Sequence, residues 1–124
     1  MTLQYTFPKS VRIHSSREIG KVFEQGVYQS LGPFGAKFLT TNEAQSRFLI
    51  AVKKKVGNAP YRNHVKRLLR EAIRQERFGL KLQFDVCFFV TRTPQRPLEF
   101  VYVHRQVRRL FKQLNSLSAF PSGK

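Results

Sequence analysis

Apolar residues recur at Ile19, Val22 and Phe23, spacings of three and four that lay one apolar face along a short helix. Ser16 is placed to cap its start and Gly26 to stop it. Further on the rhythm changes. Residues 34–40 and 47–52 are rich in β-branched and aromatic side chains, with the polar run 41–46 between them, and predict two strands that pair as a hairpin. Gly57 and Asn58 break the second strand, and Pro60 suits the first turn of a long helix reaching about residue 77. Residues 84–91 are apolar almost throughout, the pattern of a central strand covered on both faces. A strand, a helix and a strand in succession give a parallel pair joined by a crossover. After Pro94 and Pro97, helical spacing returns at Val103, Val107, Leu110, Phe111 and Leu114.

These elements add up to one α+β domain spanning residues 1–124, a single sheet with three helices and no internal repeat. The ends, 1–10 and 118–124, lie outside the pattern and are expected to be flexible. An apolar fraction of 41%, with 12 phenylalanines, is enough to fill a core, which sets the chain apart from disordered basic tails. Charge changes the picture more. With 23 Lys and Arg against 7 Asp and Glu, the formal net charge is +16, a field that calls for a polyanion. Nucleic acid is the commonest such partner, membrane surfaces and acidic proteins being the others.

No apolar run approaches the roughly 18 residues of a membrane span. The first residues lack a basic segment followed by a long apolar core, so no secretory signal is expected and the cytoplasm is the expected compartment. A lone cysteine, Cys87, lies in the apolar run 84–91, where a buried, inert thiol is expected.

The charge is patterned along the long helix. At about 100° per residue, Arg62, Asn63, Lys66, Arg67, Arg70 and Arg74 fall within an arc of roughly 140°, with Tyr61, Val65, Leu68, Leu69 and Ala72 opposite. A solvated helix face normally mixes signs at (i, i+4), whereas this one repels itself at Arg62/Lys66 and Lys66/Arg70. A polyanion relieves that repulsion. Arginine forks phosphate oxygens, lysine acts as a point charge, and Asn63 can donate and accept. The loop 56–59 ahead of the helix offers backbone N–H groups to a phosphate, with Gly57 removing side-chain bulk. Together these features favour folded RNA recognised by shape and phosphate, although the helix face alone leaves DNA open.

At these residues the chain resembles the bacterial ribonuclease P protein family, whose signature is a K-K-x-G-N-A loop followed by R-N-R-x-K-R. Here the run reads Lys54-Lys55-Val56-Gly57-Asn58-Ala59-Pro60-Tyr61-Arg62-Asn63-His64-Val65-Lys66-Arg67. The resemblance extends over nearly the whole chain and departs at three places. His64 stands where the family usually has a second arginine, Lys53 where a small residue is usual, and Ile19 where the first helix often carries an aromatic.

The resemblance implies the element order α-β-β-β-α-β-α, with a mixed four-stranded sheet of the ribosomal protein S5 domain 2-like kind. It further implies a free protein that is monomeric and binds a catalytic RNA through Lys54, Lys55, Asn58, Arg62, Asn63, Lys66, Arg67, Arg70 and Arg74, with His64 at the margin. A cleft beside the first helix is implied to take the single-stranded 5′ leader of precursor tRNA. Phe23, Ile19, Phe89 and Arg92 are its candidates, with Lys37 or Phe38 from the neighbouring strand, which a one-residue slip would exchange.

Hydrolysing a phosphodiester requires an in-line water, usually activated by metals on clustered carboxylates. Glu18, Glu24, Glu43, Glu71, Glu76, Asp85 and Glu99 are scattered, and His14, His64 and His104 show no ligand spacing. No catalytic or metal-binding residue is therefore assigned to the protein, and the Mg2+ of an RNA-based holoenzyme is expected on RNA. Two other readings remain open on sequence: a ribosomal or general structured-RNA-binding protein with no part in cleavage, and a metal-dependent nuclease acting alone.

Overall fold

A computed structural model of the chain describes residues 9–94 and 97–117. Of the ends expected to be flexible, residues 1–8 and 118–124 lie outside the described residues, and 9 and 10 begin a short 3₁₀ turn, Lys9–Val11. The elements are α1 (Ser16–Gln25), β1 (Val27–Leu31), β2 (Phe34–Thr40), β3 (Arg47–Val52), α2 (Ala59–Glu76), β4 (Phe84–Val90) and α3 (Phe100–Leu117). This is the expected α+β order, with three helices and one mixed four-stranded sheet.

Sheet order is β1-β2-β4-β3. The expected pairing of β2 with β3 is thus corrected, because β4 lies between them, antiparallel to β2 and parallel to β3. The physical reason is burial. β4 is the strand with apolar residues on both faces, so the central position suits it best, and the loop after β2 reaches across its width. The local hairpin is instead β1 with β2, closed by a two-residue turn in which Gly32 takes φ 69°, a conformation that favours glycine.

Strand parity sorts the side chains into two layers. Phe34, Ala36, Phe38, Phe48, Phe84, Val86, Phe88 and Val90 meet Val65, Leu69, Ala72 and Ile73 of α2 and Val103, Val107, Leu110, Phe111 and Leu114 of α3 in the main core. Each fully buried side chain of this size contributes roughly 1.5–3 kcal/mol of transfer free energy. On the opposite face α1 closes a smaller cluster of Ile13, Val22 and Cys87, with Ile19, Leu39 and Leu49 against it. That cluster leaves the rest of the face uncovered.

Helix termini follow the sequence closely, with one shift. The cap of α1 is Ser15 rather than Ser16, its Oγ accepting from the N–H groups of Arg17 and Glu18 at 3.2 and 3.4 Å. Asn58 caps α2 by accepting from the Tyr61 N–H at 3.0 Å, with Pro60 in the first turn.

Candidate nucleic-acid interface

The first surface is the polar side of α2. Burying Val65, Leu69, Ala72 and Ile73 turns Asn63, His64 and Arg67 fully outward and leaves Arg62, Lys66 and Arg70 half-buried at the margins. Lys54 and Lys55 extend the same basic run from a 3₁₀ turn ahead of the helix, pinned where the Thr93 hydroxyl donates to the Val56 carbonyl at 3.0 Å. Two members of the predicted set hold the loop itself: Asn58 through its cap, and Arg62 by donating from Nε to the Gly57 carbonyl at 3.1 Å. The Gly57 N–H is already committed to the Lys54 carbonyl, at 3.3 Å. Backbone donation from the loop therefore falls to other residues.

Carboxylates decide which of these cations keep their charge free. Glu18 and Asp85 both bind Arg47, Glu71 binds Arg74, and Glu76 binds His104 and Arg108. The Arg74 guanidinium holds Glu71 below the usual carboxylate range, so this member of the predicted stripe is neutralised within the helix. Among the described residues no carboxylate bridges Lys54, Lys55, Lys66, Arg67 or Arg70. Burial, and then the charges of Arg12 and Arg67, push Arg70 below the ordinary guanidinium range. Like charges are concentrated here without internal compensation.

The second surface is the uncovered part of the sheet beside α1. Phe23, 41% exposed at the end of α1, stacks on Phe89 of β4 with centroids 5.7 Å apart, and Tyr28 of β1, 53% exposed, stacks on the same ring at 6.0 Å. Gly35 of β2 permits this, since a Cβ there would come within 2.8 Å of the Phe89 ring and 3.0 Å of Tyr28. Lys37 donates from Nζ to the Phe23 carbonyl at 2.6 Å, satisfying a helix-terminal acceptor, and lies 5.6 Å from the Phe23 ring centroid. The result is an exposed aromatic platform with a cation fixed at its edge.

Parity settles the choice left open between Lys37 and Phe38. Lys37 faces the platform, whereas Phe38 points to the other face and is buried against Phe84, so Phe38 leaves the predicted cleft set. Ile19 packs into the small cluster under α1. Arg92 stands past the end of β4, donating to the Gly32 carbonyl at 2.8 Å and lining a cavity of about 510 Å³ with Pro33, Thr93 and Tyr102. Tyr28 was not singled out by sequence, and its only signal is the weak alternation of β1, in which Tyr28 and Ser30 oppose Val27, Gln29 and Leu31.

Among the described residues no three His, Cys, Asp or Glu side chains gather in a way that could hold a metal ion. His104 meets Glu76 at 2.6 Å and stacks on Phe100 at 5.2 Å, tying α3 to α2. No described helix is long and apolar enough to cross a membrane.

Known proteins similar to this chain share both its sequence and its fold. Residues 7–115 match the family described as Ribonuclease P. The chain is 31% identical over 106 residues to the Ribonuclease P protein component of Bacillus pumilus, covering 85% of this chain and 88% of that one. Against the Ribonuclease P protein component of Dictyoglomus turgidum it is 33% identical over 86 residues, covering 69% and 72%. The RNase P protein from Thermotoga maritima superposes with a TM-score of 0.70 at 26% identity, over 82% of this chain and 96% of that one. Staphylococcus aureus RNase P protein shares the fold with a TM-score of 0.72 at 24% identity, over 85% and 95%.

Proposed function

The chain belongs to the ribonuclease P protein family, and from that premise we propose that it binds the catalytic RNA of ribonuclease P through α2 and the turn before it, and the 5′ leader of precursor tRNA across the platform of Phe23, Tyr28 and Phe89. The family is that of a protein subunit of an endoribonuclease. In this reading the subunit cuts nothing itself. Phosphodiester hydrolysis runs on the RNA with its own Mg2+, and the protein neutralises phosphates and holds the leader, as a monomer in the cytoplasm.

The observation that carries the reading is the distribution of carboxylates, which pair with Arg47, Arg74, His104 and Arg108 and leave Lys66, Arg67 and Arg70 uncompensated on one helix face. Those cations and the 3₁₀-turn lysines suit phosphates of a folded RNA, while sequence-tolerant stacking beside Lys37 suits a single strand.

The test is reconstitution at low magnesium with the matching catalytic RNA and a precursor tRNA. Leader removal is expected only when protein and RNA are both present, and cleavage by the protein alone would overturn the reading. If about six cations engage phosphates, log K for the catalytic RNA falls with log salt at a slope of roughly −4 to −5. Arg67→Ala is expected to make that slope shallower by about one and leave the fold intact.

A further inference from the structure

The segment before α1 runs along the outer edge of β3, where Arg12 pairs with Phe48 and the Ile13 N–H donates to the Phe48 carbonyl at 3.2 Å. The pairing ends there, because the chain turns into α1 at Ser16. Ile50 points its backbone groups to the same side as Phe48, since alternate residues of a strand share a side and Lys53 points the other way, to the Val90 carbonyl. A notch of about 230 Å³ opens at this place, lined by Arg12, His14, Phe48, Ile50 and Arg70.

Its walls come from elements far apart in the sequence and carry the same sign. Arg12 extends from the edge segment and Arg70 from α2, with Arg67 one turn away along the same helix face. No carboxylate lines the notch, and among the described residues none bridges Arg12, Arg67 or Arg70. Arg70 feels the charges of Arg12 and Arg67, a repulsion that a tetrahedral oxyanion between the guanidinium groups would relieve. An outward strand-edge N–H at Ile50 adds a donor to the floor.

We propose that this notch is a phosphate seat, in which Arg12 and Arg70 clasp one backbone phosphate of an RNA that lies on α2 and continues across the β3 edge toward the start of α1. The inference rests on the reading of α2 as an RNA-binding face and adds a contact from outside that helix. Free inorganic phosphate has the same recognisable chemistry, so the experiment has two arms.

In the first, the isolated protein is titrated with inorganic phosphate and followed by amide and guanidinium NMR. Saturable shifts are expected at Ile50, Arg12 and Arg70, and Arg12→Ala abolishes them. Shifts that are absent, or that survive in Arg12→Ala, overturn the seat. In the second, binding of the catalytic RNA is measured over a range of salt. Arg12→Ala is expected to weaken it roughly five- to ten-fold at 0.1 M salt and make the slope shallower by about one, while Arg12→Lys restores the slope. Arg105→Ala, an equal loss of charge at an exposed position of α3, serves as the control and leaves the slope unchanged.

Phosphate binding with an unchanged RNA slope in Arg12→Ala overturns the RNA placement and assigns the seat to a free anion. If wild-type protein does not bind the RNA, the reading of α2 fails, and the first arm still decides the seat. The Arg12 side chain is exposed and only its backbone pairs with β3, so the variants keep the fold, which circular dichroism verifies.

Discussion

Phe23 leaves much of its ring in water while stacking on Phe89, so its removal tests binding more than stability. Phe23→Ala is expected to weaken the holoenzyme's affinity for leader-bearing precursor by about 1–3 kcal/mol and leave affinity for leaderless tRNA unchanged, measured by fluorescence anisotropy. An equal loss for both substrates would remove Phe23 from the leader path. Gly35→Ala approaches the same platform from beneath. Its new methyl must displace the Phe89 and Tyr28 rings, so leader affinity should fall with no change in charge or salt slope. His64 has a milder setting: it is exposed and tilted against Tyr61 at 6.5 Å, at the margin of the basic face.

Between elements, the strongest polar join is Arg47 of β3. Its guanidinium, 13% exposed, donates to both carboxylate oxygens of Asp85 on β4 at 3.0 and 2.8 Å and reaches Glu18 on α1 at 3.1 Å. The Asp85 hydrogen bonds chiefly raise its pKa above the ordinary guanidinium range. Asp85→Ala leaves that charge half-buried without its main acceptor and is expected to cost about 3–5 kcal/mol in urea unfolding. Glu18→Gln should cost under about 1 kcal/mol, because Glu18 is more exposed. This hub was not legible in the sequence, since Arg47 and Asp85 become neighbours only through the parallel register. The amphipathic helices, the core face of α3 and the central place of β4 were legible, because periodicity is local. The β2–β3 hairpin was misread for the complementary reason: adjacency in sequence favours a hairpin, and only the burial demanded by β4 overrides it. Arg12 and Arg70 converge through that same long-range arrangement.

At the scale of the whole molecule, Cys87 reports on global opening. Burial pushes its thiol up to about 11 from the ordinary 9.0. Between those values the unfolded chain loses the proton while the folded chain keeps it, so stability declines as pH rises above about 9. At neutral pH, alkylation by iodoacetamide is expected to proceed only through unfolding, with a rate that urea accelerates and folded-state dynamics do not. Fast labelling of the native protein would contradict that burial. The sheet order also has a temporal side. The strand at the centre is the last of the four to be synthesised, so β3 has no sheet partner, and β2 has only β1, until β4 emerges. At typical rates of elongation that interval lasts roughly two to eight seconds. During it the nascent chain carries the open edge of β2, an unpaired β3 and much of its positive charge, and a ribosome-bound fragment ending before residue 84 lacks the strand that joins them.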